Sequence, residues 1–254
     1  MRRALAALCL SLALALAAPA RAEQVIVSLS SDRVFINSNF TGAELALFGS
    51  IERDVQTVLR PGEYEVAVTV RGPRGSVVVR EKRGFGPFYV NLEQRRFIAV
   101  PSFIAILSTR PLAEIADAGL REAMHLGVDE LVTRQGAGVA DAKPEFRESL
   151  IRLRRAQNLF LERPKGVQML SPRLFRAAVR VPGRAPLGAY EVDVAVFAEG
   201  AVVAKATQSF QVIKSGVEQT VAAASRESAL AYGLGAAGLA LALGWLASVI
   251  FRRD

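Results

Sequence analysis

The segment 185–197, which has most influence on the predicted fold, reads APLGAYEVDVAVF. It opens with a proline–glycine–tyrosine corner at Pro186, Gly188 and Tyr190, and it continues with alternating apolar and polar residues, a pattern typical of a half-buried strand. A turn then leads into a second alternating run, 202–213. A corner followed by a strand and a hairpin is common in the last strands of immunoglobulin-like sandwiches, and we therefore predict that fold.

The same alternation occurs in the first part of the chain, where glycine and proline turns interrupt short apolar runs. Two short strands are predicted within 24–39, and one strand is predicted in each of the ranges 44–51, 64–71, 76–82, 88–91 and 97–100. The turn at 72–75 should join 64–71 and 76–82 as a hairpin. We expect an N-terminal β-sandwich block, 23–110, and a C-terminal β block, 164–216. The second block is short for an independent core, so it should pack on the first, as one sandwich or as two.

A helical pattern interrupts the β pattern at 111–163. Apolar residues recur at helical spacing over 112–126, after a proline that suits a first helical turn. A second helix should run from Pro144 to about residue 160, with an inner stripe at Phe146, Leu150, Leu153 and Phe160. The chain is therefore predicted to be mainly β with an α-helical insertion.

The two ends of the chain predict a membrane topology. The apolar run 229–251 would form a helix of about 34 Å, enough to cross a bilayer core of roughly 30 Å. A basic start, a short apolar stretch and a small-x-small triplet indicate a signal peptide at 1–22. Arginines in the tail, 252–254, favour a cytoplasmic end. We expect an exported antiparallel sandwich, a linker at 217–228 and one C-terminal transmembrane helix.

The composition excludes several kinds of site. The single cysteine, Cys9, lies in the predicted signal peptide, so thiolate chemistry and disulfides are excluded for the mature chain. The single histidine, His125, lies on an apolar helix pattern, and we interpret it as a core or surface residue, with a ligand or base role left open. A metal site needs several convergent donors. We expect no catalytic site, no metal, no cofactor and no nucleic-acid partner.

Basic residues supply the candidate contacts with an anion or a partner, on a chain whose formal net charge is +8. Arg110 precedes the first helix and Glu114 follows one turn later, so they could form an ion pair or an anion site, or simply cap the helix. The second helix carries Arg147, Arg152, Arg154 and Arg155. These four are either a contact surface or an ordinary solvated face.

The apolar C-terminal run carries small residues at four-residue spacing, namely Ala236, Ala240, Gly244 and Ser248. Such a face lets another membrane helix approach closely, although alanine-rich helices also produce it by chance.

Several motifs, spread over most of the mature chain, carry a family resemblance. They are 39–45 with Phe48-Gly49, 71–73, 101–103, the run STRPLAEI at 108–115, 174–177, the corner at Pro186-x-Gly188-x-Tyr190, and 244–246. With these motifs the chain resembles an alphaproteobacterial family of transmembrane proteins of uncharacterised function. The resemblance implies a membrane-anchored exported protein and brings no known activity. Members are often encoded beside a multi-pass exporter of sulfite or organosulfonate type, which implies a partner of that kind.

These patterns together predict a non-enzymatic, single-pass accessory protein of the bacterial inner membrane. Its periplasmic domain would dock on a multi-pass membrane protein such as an anion exporter. The alternative is a periplasmic module that binds or senses a small anion through Arg110 or the arginines of the second helix.

Overall fold

β-Strands account for most of the regular structure in the residues that the computed structural model describes, which are 23–36, 42–53, 62–85, 88–135, 139, 142–214 and 229–250. The strands are β1 Gln24–Leu29, β2 Arg33–Ile36, β3 Gly42–Glu52, β4 Glu65–Arg71, β5 Arg74–Phe85, β6 Phe88–Pro101, β7 Ile104–Ser108, β8 Phe160–Pro164, β9 Val167–Ser171, β10 Leu174–Pro182, β11 Gly188–Ala198 and β12 Ala201–Lys214. The helices are α1 Leu112–Ile115, α2 Ala118–Met124, α3 Val128–Gln135, α4 Pro144–Ala156 and α5 Ala229–Ile250. The prediction of a mainly β chain with helices inserted in it is confirmed.

The strands form two larger sheets and a separate ribbon. One sheet has four strands in the order β1-β3-β10-β9, and the other has six in the order β2-β12-β11-β4-β7-β8. Strands β5 and β6 pair only with each other in the described part of the chain. Neighbouring strands are antiparallel, as predicted, except in the pairs β2–β12 and β7–β8, which are parallel.

Strands from the two ends of the chain lie side by side in both sheets. β10 pairs with β3 in the four-stranded sheet, and β11 lies between β12 and β4 in the six-stranded sheet. Near the beginning of the domain, β2 pairs with the end of β12, where Val34 lies opposite Val212. The segments before residue 110 and after residue 164 therefore share both sheets and one large hydrophobic core.

Alternation along the central strands places one face of each strand in this core. The valines of β4 and β11 that point inward are fully buried, namely Val66, Val68, Val70, Val192, Val194 and Val196. Aromatic rings fill the space beside them: Tyr190 stacks on Phe210 with ring centroids 5.0 Å apart and lies 5.7 Å from the tilted ring of Phe103. Burial of these apolar surfaces supplies the main driving force for folding.

The chain between β4 and β7 differs from the predicted hairpin. The pairing of 64–71 with 76–82 is wrong, because β11 and β7 occupy both edges of β4. The turn after β4 leads instead into the ribbon, where β5 pairs with β6. The short strands predicted at 88–91 and 97–100 are parts of the single strand β6.

Helices α1 to α4 connect β7 to β8. Because these two strands are parallel, the chain must return to the same end of the sheet, and helices commonly provide that crossover. The helix predicted over 112–126 is broken after Ile115, and Asp117 caps the second piece by accepting a hydrogen bond from the Leu120 amide at 2.6 Å. Ile115 and Leu126 pack with Phe197 on the outer face of the six-stranded sheet, which is the face turned away from the four-stranded sheet.

Helix α4 is shorter than predicted. It ends at Ala156, and Asn158 adopts the left-handed conformation (φ +56°) that often terminates helices. Phe160, predicted in the inner stripe of this helix, is instead buried in β8, and Leu153 is 52% exposed. The buried face of α4 consists of Phe146, Leu150 and Ile151.

Helix α5 follows a segment, 215–228, that lies outside the described residues. It spans 22 residues, and its described side chains, at 233–248, are exposed. Taken over the residues that the structure describes, no helix combines the length and the apolar character that crossing a membrane requires. The predicted signal peptide, 1–22, and tail, 252–254, also lie outside the described residues.

Candidate functional site

A polar cleft lies on the outer face of the six-stranded sheet, beside the end of α2. Its volume is about 220 Å³. Strands β4, β11 and β12 form its floor, and residues 123–126 form part of its wall. The polar side chains that line it are Thr69, Arg71, His125, Asp193, Lys205 and Thr207. It therefore gathers residues from three strands and one helix end.

A hydrogen-bonded network crosses the floor of the cleft. Asp193 on β11 lies opposite Thr69 on β4 and opposite Thr207 on β12. Arg71 donates from Nη2 to the Asp193 carboxylate, and the same nitrogen lies 3.2 Å from Glu191 Oε2. The Thr207 hydroxyl donates to the other oxygen of Asp193 at 2.8 Å. Both oxygens of this carboxylate are therefore held by neighbouring strands.

Two nitrogen atoms of the residues that line the cleft are buried without a hydrogen-bond partner among the described residues. They are Nε of Arg71 and Nδ1 of His125. His125 ends α2 in the left-handed conformation (φ +54°), with its amide donating to the carbonyls of Arg121 and Glu122. A buried donor or acceptor without a partner costs about 1–3 kcal/mol.

The cleft has an excess of positive charge over negative charge. Arg71 is paired with Asp193 and lies 3.2 Å from Glu191, so the surplus comes from Lys205, which has no ion pair among the described residues. Apolar side chains, including Leu126 and Leu131, cover the remaining wall. Small-molecule sites commonly combine an apolar lining with a few placed polar groups. This cleft can therefore hold a small molecule that has an anionic group and an apolar part.

Arg110 and Glu114 lie at a different place, beside an acidic cavity of about 410 Å³. Arg110 Nε lies 2.6 Å from Glu65 Oε1, and its Nη1 lies 3.8 Å from Glu114 Oε2. Glu63 and Glu199 also line this cavity. Because several carboxylates surround one guanidinium, the local charge repels anions.

The four arginines predicted on the second helix differ in their surroundings. Arg155 Nη2 lies 3.6 Å from Glu162 Oε2 and 4.0 Å from Asp129 Oδ2. Partial burial lowers the pKa of the Arg154 guanidinium. Arg152 is exposed, and Arg147 is half-buried. Within the described part of the chain, Arg147, Arg152 and Arg154 form no ion pair, so these three are the cations of α4 that remain available to a partner.

The small-residue face predicted on the C-terminal helix lies on α5. Ala236, Ala240, Gly244 and Ser248 are all exposed and follow one side of the helix. A Cβ atom added to Gly244 would meet no atom within 4 Å. This side of α5 is therefore open to a neighbouring helix.

Arg71, Asp193, Lys205 and Thr207 were not predicted as site residues. The available signal was a charged residue within an otherwise apolar strand, as Asp193 lies between Val192 and Val194. Such a residue faces outward in a half-buried strand, and nothing in the alternation tells which other strand lies beside it.

No curated protein and no solved structure matches this chain at a significant level. A family model described as "Putative transmembrane protein" (Alph_Pro_TM) matches residues 24–253, which include all twelve strands and the five helices named above. This match extends over nearly the whole chain. The protein therefore belongs to that family, as its resemblance to the alphaproteobacterial sequences predicted.

Proposed function

We propose that this protein is a non-enzymatic accessory protein of the bacterial inner membrane. Helix α5 anchors it, its sandwich lies in the periplasm, and its C-terminus lies in the cytoplasm. The observation that carries this proposal is the match, over residues 24–253, to a family described as transmembrane. The uncharged apolar run 229–251 of the sequence would supply the anchor. As one continuous helix this run would be about 34 Å long, against a bilayer core of roughly 30 Å.

The exposure of α5 supports a lipid environment. Large apolar side chains on opposite sides of the helix are between 49% and 76% exposed, namely Leu234, Leu239, Leu241, Leu243, Trp245 and Leu246. A helix that is apolar all round is stable only where protein or lipid surrounds it. Membership of a transmembrane family favours lipid as the main component of those surroundings.

The tyrosine corner supports an immunoglobulin-like assignment for the sandwich. The Tyr190 hydroxyl donates to the Pro186 carbonyl, four residues upstream, at 2.7 Å. A buried tyrosine that bonds back to the preceding backbone is typical of that fold, which many cell-surface domains share. This resemblance supports a role in docking to another molecule.

The proposed partner is a multi-pass membrane protein, such as an anion exporter. The side of α5 formed by Ala236, Ala240, Gly244 and Ser248 has no bulky side chain, so a partner helix can approach its backbone closely.

Single cysteines test this topology, because Cys9 is the only cysteine of the chain. In a Cys9→Ser background, Ser209→Cys reports on the sandwich and Asp254→Cys on the tail. A membrane-impermeant maleimide should label Ser209→Cys alone in intact spheroplasts and both variants after lysis. Labelling of Asp254→Cys before lysis would contradict the topology. Release of the protein by alkaline carbonate would contradict the anchor.

The same membranes, solubilised in mild detergent, test the accessory role. The tagged protein should retain a multi-pass protein in stoichiometric amount, and Gly244→Leu should lose it, because the added side chain fills the small-residue face. Ala242→Leu adds similar bulk on the opposite side of the helix and should retain the partner. Recovery of the wild-type protein alone would contradict the accessory role.

We propose as a second function that the cleft binds a small organic anion. Lys205, an exposed cation of the cleft with no ion pair among the described residues, favours this site over Arg110, whose guanidinium is already paired with Glu65. The excess of positive charge in the cleft and its apolar wall agree with such a ligand.

Lys205→Gln should abolish this binding, because it removes the exposed cation of the cleft. With benzoate at about a hundred times its dissociation constant, the wild-type protein should gain about 2.7 kcal/mol of stability, and its melting temperature should rise by several degrees. Lys165→Gln, which removes a lysine outside the cleft, should respond as the wild type does. The proposal fails if benzoate, butyrate and phosphate all leave the wild-type melting temperature unchanged.

A further inference from the structure

An exposed apolar row lies at the end of the six-stranded sheet where β12 ends. Phe35 on β2 pairs with Ile213 on β12, and Leu187 directly precedes Gly188, which pairs with Val212. Because Val212 points into the core, alternation places Ile213 and Phe35 on the outer face. Leu187 lines the same cavity as Ile213. Phe35 is 52% exposed and Leu187 is 51% exposed. Phe35, Leu187 and Ile213 together are named the apolar row.

Basic side chains surround the apolar row. The exposed ones are Arg33, Arg74 and Lys214. Arg33 lies on the same face of β2 as Phe35, and Lys214 follows Ile213. Arg74 follows Pro73, and Pro73 packs closely against Gly188, the residue after Leu187: a Cβ atom added to Gly188 would lie 3.1 Å from Pro73 Cγ. Arg74 is therefore near the row. The carboxylate of Asp32 lies 3.8 Å from Arg33 Nε and offsets part of this positive charge.

This end of the sandwich is also where the chain leaves it towards α5. Residues 215–228 connect Lys214 to the first residue of α5. Even a fully extended chain of that length reaches only about 50 Å. If α5 lies in a bilayer, this connection therefore keeps the end of β12 within about 50 Å of the membrane surface.

We infer that the apolar row and its three basic neighbours form a docking surface for an anionic phospholipid bilayer. This inference rests on the proposed anchoring by α5. Phenylalanine and leucine side chains enter the boundary between headgroups and acyl chains, and basic side chains bind the negatively charged phosphates. The sandwich would then lie on the membrane in one orientation.

The test uses the full-length chain in nanodiscs, with an environment-sensitive fluorophore on Gln211→Cys in the Cys9→Ser background. Gln211 is exposed on the same face, opposite Arg33. Nitroxide-labelled lipids should quench the fluorophore strongly in phosphatidylglycerol discs and weakly in phosphatidylcholine discs. Equal quenching in the two kinds of disc would overturn the inference.

Phe35→Ser and Leu187→Ser should each lower the docking equilibrium constant by about tenfold, because each removes a half-exposed apolar side chain from the contact. Phe48→Ser is the matched control, since Phe48 is 42% exposed on the outer face of the other sheet. In this control, quenching should equal that of the labelled Gln211→Cys protein with no further substitution. Unchanged quenching in the Phe35 and Leu187 variants would overturn the inference.

The failure of docking and the failure of anchoring give different results. A protein that does not enter nanodiscs at all contradicts the anchoring. A protein that enters them but shows no quenching contradicts the docking alone. A dimer contact that buries the fluorophore would assign the row to a second copy of the chain, and it would likewise overturn the lipid inference.

Discussion

Replacement of Gly49 by alanine is expected to lower the free energy of unfolding by about 3 kcal/mol. Gly49 lies on β3 directly opposite Phe175 of β10, and a Cβ atom added there would lie 2.1 Å from the Cζ atom of that ring. Phe175 is fully buried, so its ring cannot move aside without displacing the close-packed core around it. Urea-induced unfolding of the full-length protein in detergent, followed by far-UV circular dichroism, measures this loss.

Two further variants separate the steric overlap from the general effect of replacing a glycine. A Cβ atom added to Gly75 would meet no atom within 4 Å. Gly75→Ala should therefore change the stability by less than about 0.5 kcal/mol. Combining Gly49→Ala with Phe175→Leu should restore part of the loss, because the shorter side chain vacates the overlapping space. A wild-type unfolding midpoint for Gly49→Ala would contradict the close approach of the ring.

Replacement of Tyr190 by alanine is expected to cost about 4 kcal/mol, because it removes a fully buried ring from between Phe103 and Phe210. Tyr190→Phe keeps the ring but loses the hydrogen bond to the Pro186 carbonyl, and it should cost about 1–2 kcal/mol. The same denaturation experiment measures both losses. Equal losses in the two variants would contradict a major contribution from ring packing.

The Tyr190 hydroxyl also predicts a dependence of stability on alkaline pH. Burial raises the pKa of this hydroxyl above its ordinary value of about 10. Above pH 10, the unfolded chain therefore releases a proton that the folded protein retains, and the stability falls as the pH rises. The slope from this one group is at most about 1.4 kcal/mol per pH unit. The difference in stability between the wild type and Tyr190→Phe should shrink above pH 10, and a constant difference would contradict the buried hydroxyl.

The strands could be predicted from the sequence because burial on one face is a local property of the chain. Val66, Val68 and Val70 mark the inner face of β4 without reference to any other strand. Pairing is different, because it depends on which edges other strands occupy. The glycine–proline turn after β4 suggested a hairpin, but β7 and β11, far along the chain, occupy the edges of β4 instead.

The cleft could not be predicted, because its residues come together only in the assembled sheet. The ion pair between Arg71 and Asp193 joins residues separated by 122 positions. His125 could be singled out as the only histidine, but its place at the cleft depends on the break between α1 and α2. Local spacing correctly suggested contact between Arg110 and Glu114, and only the folded chain adds Glu65 to that pair.

The interleaving of early and late strands affects the order in which this domain can assemble. β1 and β3 need β10 to complete their sheet. The only described pairing partner of β2 is the last four residues of β12. A ribosome or an export channel must therefore release nearly the whole domain before either sheet can close. Such non-local pairing is associated with slow folding. In the proposed export route this delay is useful, since the chain stays extended enough to be threaded across the membrane and completes its six-stranded sheet only when β12, the last strand before the anchor, has emerged.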